Sequence, residues 1–262
     1  MSAPVFICAC AYGAQFVKHH GHRFAADLTA HAGANGFEVR QELLTPQDLP
    51  LDALGRYIND AQLACTFSST VQIWSRNYCN IDQLLDVLDM AEQLDAQLLK
   101  VSVGALPDDP TAPRSQLKRL AHRLDNSQVR LVIENDQTPE GGRIEVISQV
   151  LRLFEQAGIS TGVAFDTGNW LWVGEDPTDA ARQLGKQVDY VHCKSVETVN
   201  EHLRACLPHA PDLATWSSLW TSFRPRIPRA IEFPLTPNDS PTTSPDSLVH
   251  TAREFVVRLS HY

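Results

Sequence analysis

The sequence lacks an apolar segment that could cross a membrane. None of its hydrophobic runs approaches the roughly 18 consecutive residues that a spanning helix needs. The first apolar run, at 4–10, has no basic segment before it, which predicts a first β-strand rather than a signal peptide. We therefore expect a cytoplasmic protein without a membrane partner.

A surplus of positive charge is also missing. The chain has 22 Lys and Arg residues against 31 Asp and Glu residues, which gives a net charge of −9. Binding to the phosphate backbone of nucleic acids depends on clustered Lys and Arg side chains. The charge balance therefore disfavours nucleic acid as a partner.

The cysteines show no pairing pattern. Apart from one C-x-C pair they are far apart in the sequence, and that pair does not have the spacing of a zinc ribbon. Without an export signal, we expect them to be reduced thiols in the protein core. The six residues are Cys8, Cys10, Cys65, Cys79, Cys193 and Cys206.

What the sequence does contain is a regular alternation of short β-branched runs and helical patterns. Strands are predicted at 4–10, 36–40, 63–69, 97–104, 129–136, 160–166, 189–195 and 228–235. Helices are predicted at 22–34, 49–62, 81–95, 114–126, 144–158, 177–187 and 245–259. Nearly every strand is therefore followed by a helix.

This alternation predicts an α/β protein with a single (β/α)8 TIM barrel, because strands joined by right-handed helical crossovers pair in parallel. An open doubly wound sheet is the alternative. The absence of a glycine-rich phosphate-binding turn after the first strand disfavours that alternative. No low-complexity linker divides the chain, so we expect residues 1–262 to form one domain.

The fifth to eighth predicted strands each carry an acidic residue or a histidine near the carboxyl end, where a barrel places its active site. Any one of these residues is explained by a turn cap or a salt bridge. Three carboxylates and one imidazole at one mouth are costly to bury unless a cation joins them. Such a donor set suits one Mn²⁺, Mg²⁺, Co²⁺ or Zn²⁺ ion. The predicted ligands are Glu134, Asp166, His192 and Glu232.

The same positions resemble a known family. The stretches VIEND, AFDTGNW, VHCK and IEFPL, which surround the four predicted ligands, are similar to the sugar isomerase/epimerase family of xylose-isomerase-like TIM barrels. That family also includes endonuclease IV and dehydroshikimate dehydratase. GFEVR, with Glu38 on the second strand, resembles the family too. The likeness extends over essentially the whole chain, and its specificity lies in the order and spacing of the short motifs.

The resemblance implies that the four residues bind one divalent metal and that Glu134 and Glu232 are the catalytic acid and base groups. It implies 1,2-isomerisation or C3 epimerisation of a ketose through an enediolate. It also implies a dimer or larger homo-oligomer. The stretches ACAYGAQFV and IENDQTPEGG resemble members associated with ketogluconate use, which points to a sugar acid as substrate.

Two positions depart from the family pattern and leave the reaction open. Asn169 stands where many relatives have a histidine, and Ser195 stands where relatives often have an aspartate. An asparagine can hydrogen-bond a hydroxyl group but cannot transfer a proton. The alternatives are a metal-dependent dehydratase of the dehydroshikimate type and a non-catalytic sugar-binding barrel. A DNA-repair endonuclease would need more histidines and a basic groove.

Residues near the predicted metal are candidate substrate contacts. Lys194 would point into the barrel mouth, where it would bind a substrate oxyanion or pair with one of the carboxylates. Arg40 suits a substrate carboxylate or phosphate, or a structural network with Glu38. Asn169 would hydrogen-bond a hydroxyl group, and Arg204, in the loop after the seventh strand, would clamp the substrate.

Three tryptophans fall in predicted loops after the third and sixth strands. They are Trp74, Trp170 and Trp172. Their flat faces suit the C–H groups of a sugar, and ordinary loop packing explains each of them equally well. Trp172 is the one that we include among the expected substrate contacts.

Overall fold

A computed structural model describes residues 2–76, 78–107, 114–236 and 239–261, with only the backbone of Arg114. Eight parallel strands form a closed ring in the order β2-β1-β8-β7-β6-β5-β4-β3, and pairing of β2 with β3 closes it. The (β/α)8 barrel prediction is thereby confirmed. The strands are β1 (Val5–Cys8), β2 (Gly36–Arg40), β3 (Ala64–Ser75), β4 (Leu98–Gly104), β5 (Arg130–Glu134), β6 (Gly162–Asp166), β7 (Val188–Cys193) and β8 (Arg229–Ile231).

A helix follows each strand along the chain, and its apolar residues recur at helical spacing so that one face is buried. The helices are α1 (Ala14–His31), α2 (Leu51–Asp60), α3 (Ile81–Gln93), α4 (Arg114–Asp125), α5 (Ile144–Gln156), α6 (Pro177–Leu184), α7 (Ala210–Leu219) and α8 (Pro245–His261). None of the helices in the described ranges is long and apolar enough to cross a membrane.

The inside of the ring is filled by a small apolar cluster that is separate from the main core. Its buried members are Phe6, Val132, Ala164, Tyr190 and Ala230. Because side chains alternate along a strand, these residues lie on the same inward face as the polar residues above them. The edge of Tyr190 meets the ring of Phe6 at 5.7 Å. The cluster forms an apolar floor beneath the mouth of the barrel.

Three elements differ from the sequence prediction. Helix α1 begins at Ala14 instead of 22, since an additional helical piece precedes a kink at Gly21 (φ 83°) and the predicted helix follows that kink. Strand β3 continues to Ser75, which places Trp74 inside a strand rather than a loop. A hairpin of two antiparallel strands, Ser195–Val199 and His202–Cys206, follows β7 and was not predicted. We refer to it below as the β7 hairpin.

Candidate functional site

The carboxyl ends of β5 to β8 bring the four predicted metal ligands together. Glu134 and Asp166 are the last residues of β5 and β6, and His192 lies opposite Asp166 in the strand register. Glu232 follows β8 directly. All four residues are buried, and one donor atom from each lies within 4.8 Å of the others.

The four converging donor atoms are Glu134 Oε1, Asp166 Oδ2, His192 Nδ1 and Glu232 Oε2. His192 Nδ1 lies 2.7 Å from Glu134 Oε1 and 2.9 Å from Glu232 Oε2. These separations lack hydrogen-bond geometry, and among the described residues none of the four buried atoms makes a well-aligned hydrogen bond, although Lys194 Nζ lies 2.6 Å from Asp166 Oδ2 and 3.1 Å from Glu232 Oε2. Buried polar atoms without well-aligned hydrogen bonds are costly. A divalent cation would satisfy all four at once, so the donor set fits the predicted metal.

Asp166 caps a turn with one of its carboxylate oxygens, and the other oxygen faces the cluster. Its Oδ1 accepts hydrogen bonds from the backbone amides of Gly168 (2.8 Å) and Asn169 (2.9 Å). The amide group of Asn135 brackets the backbone of Asp166, which fixes the strand end. Because Oδ1 is held in this way, Oδ2 is directed into the cluster. The turn cap that explains this residue locally therefore also orients its second oxygen towards the other three predicted ligands.

Lys100 is a residue of the site that the sequence reasoning missed. It is buried on β4, one inward-facing position below Glu134 in the register, and its ammonium forms an ion pair with Glu134 Oε2. Burial alone would raise the pKa of Glu134, but Lys100 and His192 outweigh it and lower this pKa to about 2. The lysine within the apolar run LLKVSVG was the available signal, because a buried lysine needs a partner.

Lys194 lies between two of the predicted ligands. Its Nζ is 2.6 Å from Asp166 Oδ2 and 3.1 Å from Glu232 Oε2, and it donates a hydrogen bond to Asn169 Oδ1 at 3.0 Å. Burial, which Lys194 only partly offsets, and the neighbouring carboxylates raise the pKa of Asp166 to about 7. Lys194 therefore does not fully compensate the charge of Asp166, and additional positive charge beside this carboxylate would be favourable.

Glu232 is surrounded by cationic groups. Arg40 Nη1 donates a hydrogen bond to Glu232 Oε1 at 2.8 Å, and its Nε donates to Glu42 Oε1 at 2.8 Å. Burial alone would raise the pKa of Glu232, but His192, Lys194 and Arg40 together hold it well below its ordinary value. Arg40 therefore lies at the mouth of the barrel and takes part in the Glu–Arg network that was one of its two predicted roles.

The second nitrogen of His192 faces Glu38 on β2. His192 Nε2 lies 2.8 Å from Glu38 Oε2, and both side chains are fully buried. Burial alone would lower the pKa of His192, but Glu232, Glu38 and Glu134 raise it well above its ordinary value. The imidazole thus contacts carboxylates through both of its nitrogens, and only one nitrogen points to the centre of the cluster.

A second group of donors lies beside the first and contains the C-x-C pair. The sulfur atoms of Cys8 and Cys10 are 3.1 Å apart, and with an oxygen of Glu232 they lie within 4.8 Å of one another. Arg40 Nη1 is 3.8 Å from Cys8 Sγ as well as 2.8 Å from Glu232. Because a guanidinium cation already compensates this side, the geometry disfavours a second metal here.

The other three predicted substrate contacts do not all lie in the site. Asn169 lies in the site, where its Oδ1 accepts from Lys194, while Trp172 is half-buried three residues further along the same 3-10 helix. Arg204 lies on the β7 hairpin, where its Nε donates to Glu197 at 2.7 Å and the side chain is mostly exposed. The structure brings only Asn169 of these three into contact with the cluster.

Two tryptophans and Ser195 have structural explanations. Trp74 is fully buried and packs 5.9 Å from Phe154, and Trp170 is fully buried and packs 5.2 Å from Phe165, which favours packing over the sugar-binding walls that were the alternative. Both fill the apolar core instead. The hydroxyl of Ser195 donates to the Asp212 carboxylate at 2.7 Å, at the start of α7.

Comparison with known protein families identifies one whose pattern matches this sequence. The sequence pattern of the family described as xylose isomerase-like TIM barrel matches residues 26–213, which is more than half of the chain. No curated protein matches the sequence.

Solved structures share the fold at low sequence identity. A xylose isomerase domain containing protein from Salmonella typhimurium LT2 superposes with a TM-score of 0.75 at 15% identity, over 98% of this chain and 97% of the other. The IolI protein with a binding zinc atom gives 0.74 at 15% identity, over 100% and 99%. D-allulose 3-epimerase from Methylomonas sp. gives 0.69 at 14% identity, over 98% and 96%. At this identity the likeness establishes the fold alone.

Proposed function

The chain belongs to the xylose isomerase-like TIM barrel family, and on that basis we propose that it is a divalent-metal-dependent isomerase or epimerase of a small sugar or sugar acid. The observation that carries the proposal is the convergence of donor atoms from four buried residues, within 4.8 Å of one another, at the carboxyl ends of β5 to β8. The names of two structural neighbours support it, since one holds zinc and another is a D-allulose 3-epimerase.

The proposed ligands of the metal are Glu134, Asp166, His192 and Glu232. Three carboxylates and one imidazole suit Mn²⁺, Mg²⁺, Co²⁺ or Zn²⁺ and do not choose among them. When bound, the ion would supply positive charge that stabilises the substrate oxygen on which negative charge develops as the neighbouring C–H loses its proton.

The proposed catalytic groups are Glu134 and Glu232, which come from strands three apart in the ring. Lys100 and Arg40 hold one oxygen of each carboxylate, so each glutamate presents its other oxygen to the centre. One carboxylate would remove a proton from the substrate carbon, and the other would return a proton to the opposite face or to the adjacent carbon. The apolar floor of the barrel and the buried walls would exclude bulk water from this transfer.

The proposed substrate contacts are Arg40, Lys194, Asn169, Trp172 and Arg204. Arg40 would bind a substrate carboxylate, because a guanidinium group can form two parallel hydrogen bonds to it. Lys194 would turn from Asp166 to a substrate oxygen once a metal compensates the cluster. Asn169 would hydrogen-bond a hydroxyl group, Trp172 would offer a flat wall, and Arg204 would approach from the β7 hairpin.

One observation favours a second candidate function. Asn169, which cannot transfer a proton, contacts Lys194 at the position where many relatives have a histidine. A barrel that binds a sugar and its metal without turnover would tolerate this residue. A dehydratase would keep the same proton abstraction and expel water from the neighbouring carbon, so products distinguish it from an isomerase.

The domain organisation, cellular location and assembly of the protein are also proposals. We place residues 1–262 in one barrel domain, because β1 and β8, which come from opposite ends of the sequence, are neighbours in the ring. A cytoplasmic location, a homo-oligomeric state and the absence of a nucleic-acid partner stay predictions from the sequence.

The first test is metal content. Asp166→Asn and His192→Ala should lose most of the roughly one divalent ion expected per chain, because removing a ligand weakens binding severely. Asp189→Asn is the matched control, since this buried carboxylate on β7 pairs with Arg130 and Arg224 outside the cluster. It should keep the metal. Retention of metal by both ligand variants would rule out the proposed ligands.

The second test is hydrogen exchange at carbon. Ketoses, their phosphates and keto-sugar acids are incubated with metal-loaded protein in D₂O, and deuterium incorporation is followed by NMR. Glu134→Gln and Glu232→Gln should each lose about 10² or more of the turnover, the usual scale for a general acid or base. In a two-base epimerase each variant should still label one epimer. Tight binding without exchange or dehydration would favour the sugar-binding barrel and overturn the enzyme proposal.

A further inference from the structure

We propose that Glu38 is a positioning residue that holds the proton of His192 on Nε2 and so keeps Nδ1 directed at the metal. This inference rests on the proposed function, because it assigns a role to a residue behind one of the proposed ligands. Glu38 touches neither the centre of the cluster nor a reacting atom. It acts only through the imidazole.

The orientation of the imidazole carries the first part of the argument. Nδ1 is the nitrogen that faces Glu134 Oε1 and Glu232 Oε2, at 2.7 and 2.9 Å. Nε2 faces Glu38 Oε2 at 2.8 Å. A neutral imidazole that binds a metal has one proton, and it lies on the nitrogen that does not bind. A carboxylate accepting from Nε2–H therefore selects the tautomer whose lone pair is on Nδ1.

The anchoring of Glu38 carries the second part. Its Oε1 accepts a hydrogen bond from the Cys8 thiol at 3.3 Å and lies 3.6 Å from Arg40 Nη1. Cys8 is also the neighbour of Glu38 in the register of β1 and β2. With one oxygen held on the far side, the other oxygen has a fixed position against Nε2. Glu38 is fully buried, and burial of a carboxylate is costly. Its contacts with Cys8, Arg40 and His192 explain this position better than packing alone.

The third part is that Glu38 is not itself placed as a ligand. The donor group found at the centre contains atoms of Glu134, Asp166, His192 and Glu232, and among the residues described no atom of Glu38 joins it. The imidazole ring lies between Glu38 Oε2 and that centre. Carboxylates behind a ligating histidine typically contribute 10–100-fold in metal affinity.

The experiment compares Glu38→Leu and Glu38→Gln with the wild-type chain. Isothermal titration calorimetry with Mn²⁺ should show affinity about 10–100-fold weaker for Glu38→Leu, which removes the acceptor. Glu38→Gln keeps an oxygen that can accept from Nε2–H, so its loss should be smaller. Asp189→Asn is the control for loss of a buried carboxylate, and its Mn²⁺ affinity should match wild type even where thermal unfolding shows lower stability.

A spectroscopic readout separates positioning from general stability. In the Zn²⁺-loaded, ¹⁵N-histidine-labelled protein, His192 should show a downfield Nε2–H resonance protected from exchange, which His192→Asn assigns by its absence. That resonance should shift upfield and broaden in Glu38→Leu and survive in Asp189→Asn. Wild-type affinity and an unchanged resonance in Glu38→Leu would overturn the positioning role. If the wild-type chain binds neither ion, the proposed function fails first.

Discussion

Removal of the Lys194 ammonium should tighten metal binding, which is the opposite of what substitution near a metal site usually does. Lys194 Nζ lies 2.6 Å from Asp166 Oδ2 and 3.1 Å from Glu232 Oε2, two of the atoms that would bind the ion. A metal and this ammonium therefore compete for the same negative charge. In Lys194→Gln that competition is gone.

The size of the effect follows from the contacts that the metal has to replace. A hydrogen bond between charged groups contributes about 1.5–3 kcal/mol. Lys194 is largely buried, so solvent screens its contacts little. Loss of one such contact as the metal binds corresponds to about tenfold to a hundredfold in affinity, since each ~1.4 kcal/mol is a factor of ten. We therefore expect the Kd for Mn²⁺ to fall by that factor in Lys194→Gln.

The assay is calorimetric titration with Mn²⁺ at constant ionic strength. Lys186→Gln is the matched control, because Lys186 is exposed just before β7 and its substitution removes the same charge from the other end of the strand. Its Kd should equal that of wild type. Unchanged or weaker Mn²⁺ binding by Lys194→Gln would refute the reasoning and would mean that Lys194 does not occupy the position of the cation.

Two further predictions concern stability. Asp48 accepts three hydrogen bonds and lies 3.3 Å from the imidazole Nδ1 of His22. Burial alone would raise the pKa of Asp48, but its contacts with the His22 side chain and backbone, and then with Thr45, lower it to about 2. This stabilisation is present above about pH 4 and is lost as pH falls through 2, so urea denaturation should show Asp48→Asn less stable by ~2 kcal/mol at pH 6 and nearly equal at pH 2. A methyl group at Gly36 would lie 2.1 Å from a ring carbon of Phe6. Gly36→Ala should therefore lower the free energy of unfolding by roughly 1–3 kcal/mol, as measured by thermal unfolding. If this contact is the cause, adding Phe6→Leu should recover part of that loss.

Much of the candidate site could be predicted from the sequence because its residues are tied to strand ends. The runs before Glu134 and Asp166 are apolar and β-branched or aromatic, and a polar residue that ends such a run must lie at its carboxyl end. Parallel strands bring those ends to one mouth. The four predicted ligands therefore meet as expected, although the sequence pattern could not supply the distances between their atoms.

The sequence reasoning missed Lys100, and it missed the contact between Glu38 and His192. Lys100 on β4 contacts Glu134 on the next strand, β5, whereas Glu38 on β2 contacts His192 on β7, across the barrel. Nothing in the local pattern states which partner a buried charge will find, because that depends on the stagger of the strands and the length of the side chain. Trp74 was placed in a loop for a similar reason, since β3 reaches that residue through pairing with Gly104 of β4 and with Cys79.

The sequence by itself determined the alternation of strands and helices, and with it the parallel ring and the end of the ring at which polar side chains gather. These properties follow from local periodicity and from the handedness of crossovers, which need no knowledge of neighbours. Only the tertiary structure decided how the charges are paired. Whether Lys194 points at Asp166, and which nitrogen of His192 faces Glu38, depends on atoms brought together from strands far apart in the chain.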